Sequence, residues 1–121
     1  MMTIREVMEI VDGKVLIGEE RLDTRVDTAC GSDLMSDVLA FSKDAAVLLT
    51  GLCNPQSIRT AEMMDVRCIV YVRDKKPTMA MLELADDADI VVMRTGHRMF
   101  TACGLLYEGG LHGGSDYERF T

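Results

Sequence analysis

The sequence predicts an α/β domain with a mainly parallel sheet and helices on both faces, a three-layer α/β/α arrangement. Three observations carry that expectation. Apolar runs at 46–50, 68–72 and 90–93 are continuous rather than alternating, as strands are when both faces of a sheet are covered. A segment with helical periodicity follows each run, and strands that alternate with helices imply parallel crossovers. The composition is 48% hydrophobic but only 5% aromatic, so aliphatic residues and Met must build the core. At 121 residues the chain can bury one core and not two, so 1–121 is taken as one domain.

The elements follow in order. Ile4, Val7, Met8 and Val11 recur at helical spacing, and Thr3 with Glu6 makes the capping-box signature in front of them. Asp12-Gly13 ends that helix, and 14–18 reads as a short strand. Residues 25–30 alternate polar and apolar, which predicts one half-buried strand. Gly31-Ser32-Asp33 supplies turn and N-cap chemistry for a helix whose apolar face is Leu34, Val38 and Phe41. Strand 46–50 leads to a helix over 55–65, and strand 68–72 to a helix over 77–87 with Thr78, Met81, Leu82 and Ala85 on one face. Strand 90–93 leads to a helix over 98–107 carrying Met99, Ala102, Cys103 and Leu106. Each strand–helix–strand crossover should be right-handed. From Gly109 onward the chain is Gly-rich, so 109–121 is expected to fray or to drape over a partner.

Charge narrows the function. The formal net charge is −7 and the basic residues are scattered, whereas nucleic-acid binding needs clustered Lys and Arg; an anionic membrane surface is disfavoured for the same reason. No apolar run approaches the roughly 20 residues of a membrane span, and the start of the chain has no signal-peptide core. A cytoplasmic location is expected. Cys30, Cys53, Cys68 and Cys103 contain no C-x-x-C pair, so they are expected to be buried thiols rather than a disulfide framework, and no metal or cofactor is expected. The ten Met residues suit adaptable core packing, with a contact surface as the second use.

In an open parallel sheet, ligands sit beyond the carboxyl ends of the strands. Those ends nominate Ser32 and Asp33, then Thr50, Gly51 and Asn54, then Arg94, Thr95 and His97. Thr50-Gly51 permits a tight turn, Asn54 is a good N-cap, and Pro55 suits the first helical position. Amides at such a helix start can hold an anion, although the same Asn-Pro pair is ordinary helix punctuation. Arg59 and Arg94 are candidate anion clamps. Neither G-x-G-x-x-G nor a Walker A lysine is present. His97 has no assignable nucleophile and orienting carboxylate, so no catalytic residue is assigned. Asp33 and Asp37 lie four apart and could form a carboxylate pair, or serve as a cap and a solvated neighbour.

The stretch Gly31-Ser32-Asp33-Leu34-Met35-Ser36-Asp37-Val38-Leu39-Ala40, followed by Leu48-Leu49-Thr50-Gly51-Leu52-Cys53-Asn54-Pro55, resembles the DRTGG domain. That domain occurs as stand-alone proteins, between CBS modules in some pyrophosphatases, and in some phosphotransacetylases. The resemblance implies a fold similar to the N-terminal domain of HPr kinase/phosphorylase, no established catalysis, and a regulatory, dimer-forming role. Thr50-Gly51 fit the Thr-Gly step, and Asp33 or Asp37 fits the acidic position. Leu52 stands where the second Gly would be, and the Arg beside the acidic position has no counterpart in the local sequence.

The expectation is therefore a regulatory or interaction domain, homodimeric, with a nucleotide or phosphorylated metabolite as ligand or a protein as partner. Two alternatives remain. One is phosphoryl or acyl chemistry through Asp33, Asp37, Asn54 and His97; the other is an accessory subunit of a redox complex, which the cysteines suggest.

Overall fold

Helix boundaries in this chain are set by short-range chemistry that repeats. The computed structural model describes residues 2–41 and 44–114. The helix α1 (Ile4–Val11) opens with the expected capping box, in which the Thr3 hydroxyl accepts from the Glu6 amide and the Glu6 carboxylate accepts from the Thr3 amide. Helix α3 (Pro55–Met63) opens on Asn54, whose side chain accepts from the Ser57 amide, and α4 (Met79–Asp87) opens on Thr78, which accepts from the Met81 amide. At the other end, α3 closes as a Schellman motif: the Asp65 amide donates to Glu62 O and the Val66 amide to Ala61 O. The same pattern closes α4 through Asp89 and Ile90, and α5 (Met99–Gly109) through Gly110 and Leu111.

Those apolar runs become strands β5 (Val47–Thr50), β6 (Cys68–Tyr71) and β7 (Val91–Arg94), each shifted by at most one residue from its predicted start. Preceding them in the chain are β1 (Met2–Thr3), β2 (Lys14–Ile17), β3 (Arg25–Val26) and β4 (Ala29–Gly31), with α2 (Met35–Phe41) between β4 and β5. The main sheet has the order β2-β7-β6-β5-β4, parallel from β4 to β7, with β2 antiparallel on the far edge.

Alternate residues of the parallel strands face opposite layers. Val47, Leu49, Cys68, Val70, Val91 and Met93 pack on one side with α1 and α5, while Leu48, Ile69, Tyr71 and Val92 pack on the other with α2, α3 and α4. Both sheet faces are thus buried, which is why these strands read as unbroken apolar runs. The three-layer α/β/α expectation holds.

Three expectations need correction. Residues 25–30 form two strands and not one: Arg25–Val26 pairs antiparallel with Met2–Thr3 in a separate two-stranded ribbon, while Ala29–Gly31 joins the main sheet. Leu34 does not belong to the buried face of α2, being 57% exposed; Met35 and Val38 fill that role. The side chain of Phe41, the third residue of the predicted face, lies outside what is described. The Gly-rich stretch does not fray at its start: Leu111 is buried, and the His112 backbone pairs with residues 27–29 beside β4. The remainder, 115–121, lies outside the described residues. No helix among the described residues is long and apolar enough to cross a membrane.

Candidate functional site at the carboxyl edge

The order of strands and helices fixes where this sheet can open. The crossovers β4-α2-β5, β5-α3-β6 and β6-α4-β7 step one strand at a time, and α2, α3 and α4 all lie on one face. After β7 the chain leaves to the opposite face through α5. The neighbouring strands β6 and β7 therefore send their outgoing connections to opposite sides of the sheet. Parting connections beyond adjacent carboxyl ends are the condition for a ligand crevice in an open α/β sheet. The candidate site is therefore the rim formed by 72–78 and 95–98, with the β5–α3 turn beside it.

The β6–α4 connection is held in an unusual shape. Arg73 and Asp74 both lie in the left-handed region, at φ 60° and 54°, which costs an ordinary residue about 1–2 kcal/mol. Their amides are bonded across to the next loop, Arg73 N donating to His97 O and Asp74 N to Thr95 O, each at 2.8 Å. The bend carries the Arg73 guanidinium over Gly51, where a Cβ would collide with it. Arg94 Nε lies 3.9 Å from Asp74 Oδ1. Lys75 reaches the β5–α3 turn as well: burial pushes the Cys53 thiol pKa up, and the nearby Lys75 ammonium opposes that rise. Arg98 occupies the N-cap of α5 and makes no side-chain capping bond, so among the described residues no side chain caps the first amides of that helix.

The residues nominated from the strand ends fall into two groups. Thr50 and Thr95 are buried, and their hydroxyls are engaged inward. The Thr50 hydroxyl donates to Asp33 Oδ1 at 3.1 Å, and the Thr95 hydroxyl to Val11 O at 2.7 Å. Asp33 Oδ1 also accepts from the Gly51 amide at 2.6 Å, fixing the turn after β5. The Ser32 amide donates to Leu49 O, its hydroxyl accepts from the Leu34 amide, and Asn54 caps α3. These residues build the edge. Gly51 lies under the Arg73 guanidinium, Arg94 reaches Asp74, and His97 holds Arg73 through its backbone carbonyl, while Lys75, Lys76 and Arg98 are exposed on the same two connections.

Arg59 sits in the second turn of α3, away from the strand ends, and Asp37 is exposed on α2. Sequence reasoning missed Arg73, Lys75 and Lys76, although they follow the strand at 68–72 and the strand-end rule covers them. Five of the chain's 13 Lys and Arg (Arg73, Lys75, Lys76, Arg94 and Arg98) stand at the end of β7 or on the connections that follow the neighbouring strands β6 and β7.

Beneath the edge, the Tyr71 hydroxyl lies 2.7 Å from Ser57 Oγ, and Ser57 Oγ donates to Asn54 O at 2.7 Å. Burial pushes the Tyr71 pKa up to about 12, with the Ser57 bond pulling the other way. No disulfide joins the four cysteines; burial raises the pKa of Cys68 and Cys103. Among the described residues, no three of His, Cys, Asp and Glu are grouped to hold a metal.

This architecture is that of a mixed α/β module. Among solved structures it is similar to the CBS and DRTGG domains of the regulatory region of Clostridium perfringens pyrophosphatase, complexed with its activator, diadenosine tetraphosphate. The TM-score is 0.68 and the identity 18%, over 87% of this chain and 46% of that one. At that identity the likeness establishes the fold, and this chain spans under half of that structure's length. No protein-family profile matches the sequence.

Proposed function

We propose that this chain is a DRTGG-type regulatory module, working as a homodimer, that binds a nucleotide or another phosphorylated small molecule between the ends of β6 and β7. The observation that carries this is the collection of Arg73, Lys75, Lys76, Arg94 and Arg98 around one topological gap in a chain of net charge −7. Asp74 offsets Arg94 in part, and the excess positive charge of Arg73, Lys75, Lys76 and Arg98 favours an anionic ligand. Guanidinium groups suit phosphate oxygens because they donate in a planar fork. The first amides of α5 add a partial positive charge worth about 0.3–1 kcal/mol, enough to orient a phosphate and too little to hold it alone.

The fold likeness to a regulatory region whose activator is a dinucleotide polyphosphate supports the regulatory class. Asp33 and Asn54, which a phosphoryl or acyl chemistry would need free, are engaged in the turn and the helix cap. Calorimetry of the purified chain against mononucleotides, dinucleotide polyphosphates and sugar phosphates tests the proposal. Binding should weaken with salt, and Arg73→Ala should lower affinity about 10-fold or more. Silence across the panel at millimolar ligand would overturn it.

A further inference from the structure

The solvent side of α5 has a composition that a free surface does not need. Phe100, Thr101, Gly104, Tyr107 and Glu108 are exposed, at i, i+1, i+4, i+7 and i+8, and so form one continuous stripe. Phe100 is 89% exposed and Tyr107 73%. Between them, Gly104 leaves a notch: a Cβ built there meets nothing within 4 Å.

Along the lip of this stripe opens a cavity of about 250 Å3, lined mainly by apolar groups of Gly31, Leu49, Cys103, Leu106, Tyr107 and Leu111. An apolar cavity of about 150 Å3 already accepts a benzene ring. The chain thus presents an aromatic knob and a hole that can take it, on the same face and separated along one helix.

We propose that a second copy of this chain packs here about a two-fold axis near Gly104, its α5 antiparallel to the first. In that arrangement Phe100 of each protomer faces the partner's Tyr107 and enters the cavity beside it. A two-fold interface uses one patch twice, and this patch is self-complementary in three respects. Seven residues separate knob from hole, about 10 Å along the helix, so reversing the helix about its midpoint exchanges the two. Gly104 at the crossing lets the backbones approach. The α5 amino end meets the partner's carboxyl end, so opposed helix dipoles are juxtaposed and the exposed Glu108 carboxylate lies near the positive end of the partner helix.

The proposal names the interface of the homodimer proposed above and is independent of the ligand. It is tested by sedimentation equilibrium from micromolar to millimolar protein, with circular dichroism and a nucleotide titration on each variant. Wild type should be a dimer. Phe100→Glu should raise the dimer dissociation constant about 30-fold or more, as loss of a central aromatic anchor does, and Phe100→Ser should follow it. Met63→Glu, at another exposed apolar residue, on α3, should leave the dimer intact. A wild-type dimer that both Phe100 variants leave undisturbed, or that Met63→Glu breaks instead, overturns this interface while the dimer survives. A wild type that stays monomeric at millimolar concentration overturns both. The nucleotide titration reads the ligand proposal separately on Phe100→Ser, which adds no charge near Arg98 at the start of α5.

Discussion

At the scale of single residues, the arrangement depends on one close approach and one buried hydroxyl pair. Gly51 lacks a Cβ at the place where the Arg73 guanidinium lies. Gly51→Ala should therefore displace the end of a flexible side chain and little else. We expect nucleotide affinity to fall several-fold while the melting temperature moves by no more than about 2 °C, checked by calorimetry beside thermal unfolding. Tyr71 makes a different prediction. Its folded-state pKa of about 12 lies above the unfolded value near 10, so the native state favours the protonated phenol. That stabilisation is complete below pH 10 and is lost as pH rises toward 12. Tyr71→Phe should cost about 1 kcal/mol near neutrality through the lost hydrogen bond, and its stability should fall less steeply across that alkaline window. Denaturant titrations at a series of pH values check both effects.

At the scale of elements, the helix ends show an economy in chain reversal. Asp12, Asp65 and Asp89 stand in the left-handed position after α1, α3 and α4, at φ 53°, 57° and 59°, where Gly is commonest. Each carries residual strain, and each places a negative charge at the negative end of a helix dipole. Asp65→Gly should raise stability by roughly 0.5–1 kcal/mol, seen as a higher urea midpoint at unchanged slope; a decrease would contradict this account of the caps. The caps and strands were legible in the sequence because their causes are local. Thr3 with Glu6, Asn54 with Pro55, and the apolar runs each declare themselves within a few residues. The division of 25–30 between two sheets was not legible, since Val26 answers to Met2 and Cys30 to Leu48, and no local pattern encodes which partner wins. Leu34 misled for a related reason: Ser32 caps its amide, which holds it ahead of the first turn of α2 and leaves Met35 to turn inward.

At the scale of the whole molecule, the site is a consequence of strand order. The strand-end rule named Gly51, Arg94 and His97, which the fold carries on neighbouring connections at the carboxyl ends of β5 and β7. The same rule covers Arg73, Lys75 and Lys76, but their arrangement lay out of reach, because Arg73 over Gly51 requires β5 and β6 to be neighbours and the gap requires α4 and α5 to lie on opposite faces. A backbone amide map of the chain titrated with a bound nucleotide from the calorimetric panel, recorded by two-dimensional NMR, tests this most directly. The account predicts that the largest shift changes fall on Gly51, Leu52, Arg73 to Lys76 and Gly96 to Arg98, with the amino-terminal ends of the strands unchanged. Changes centred instead on the cavity beside α5, or on the opposite end of the sheet, would contradict it.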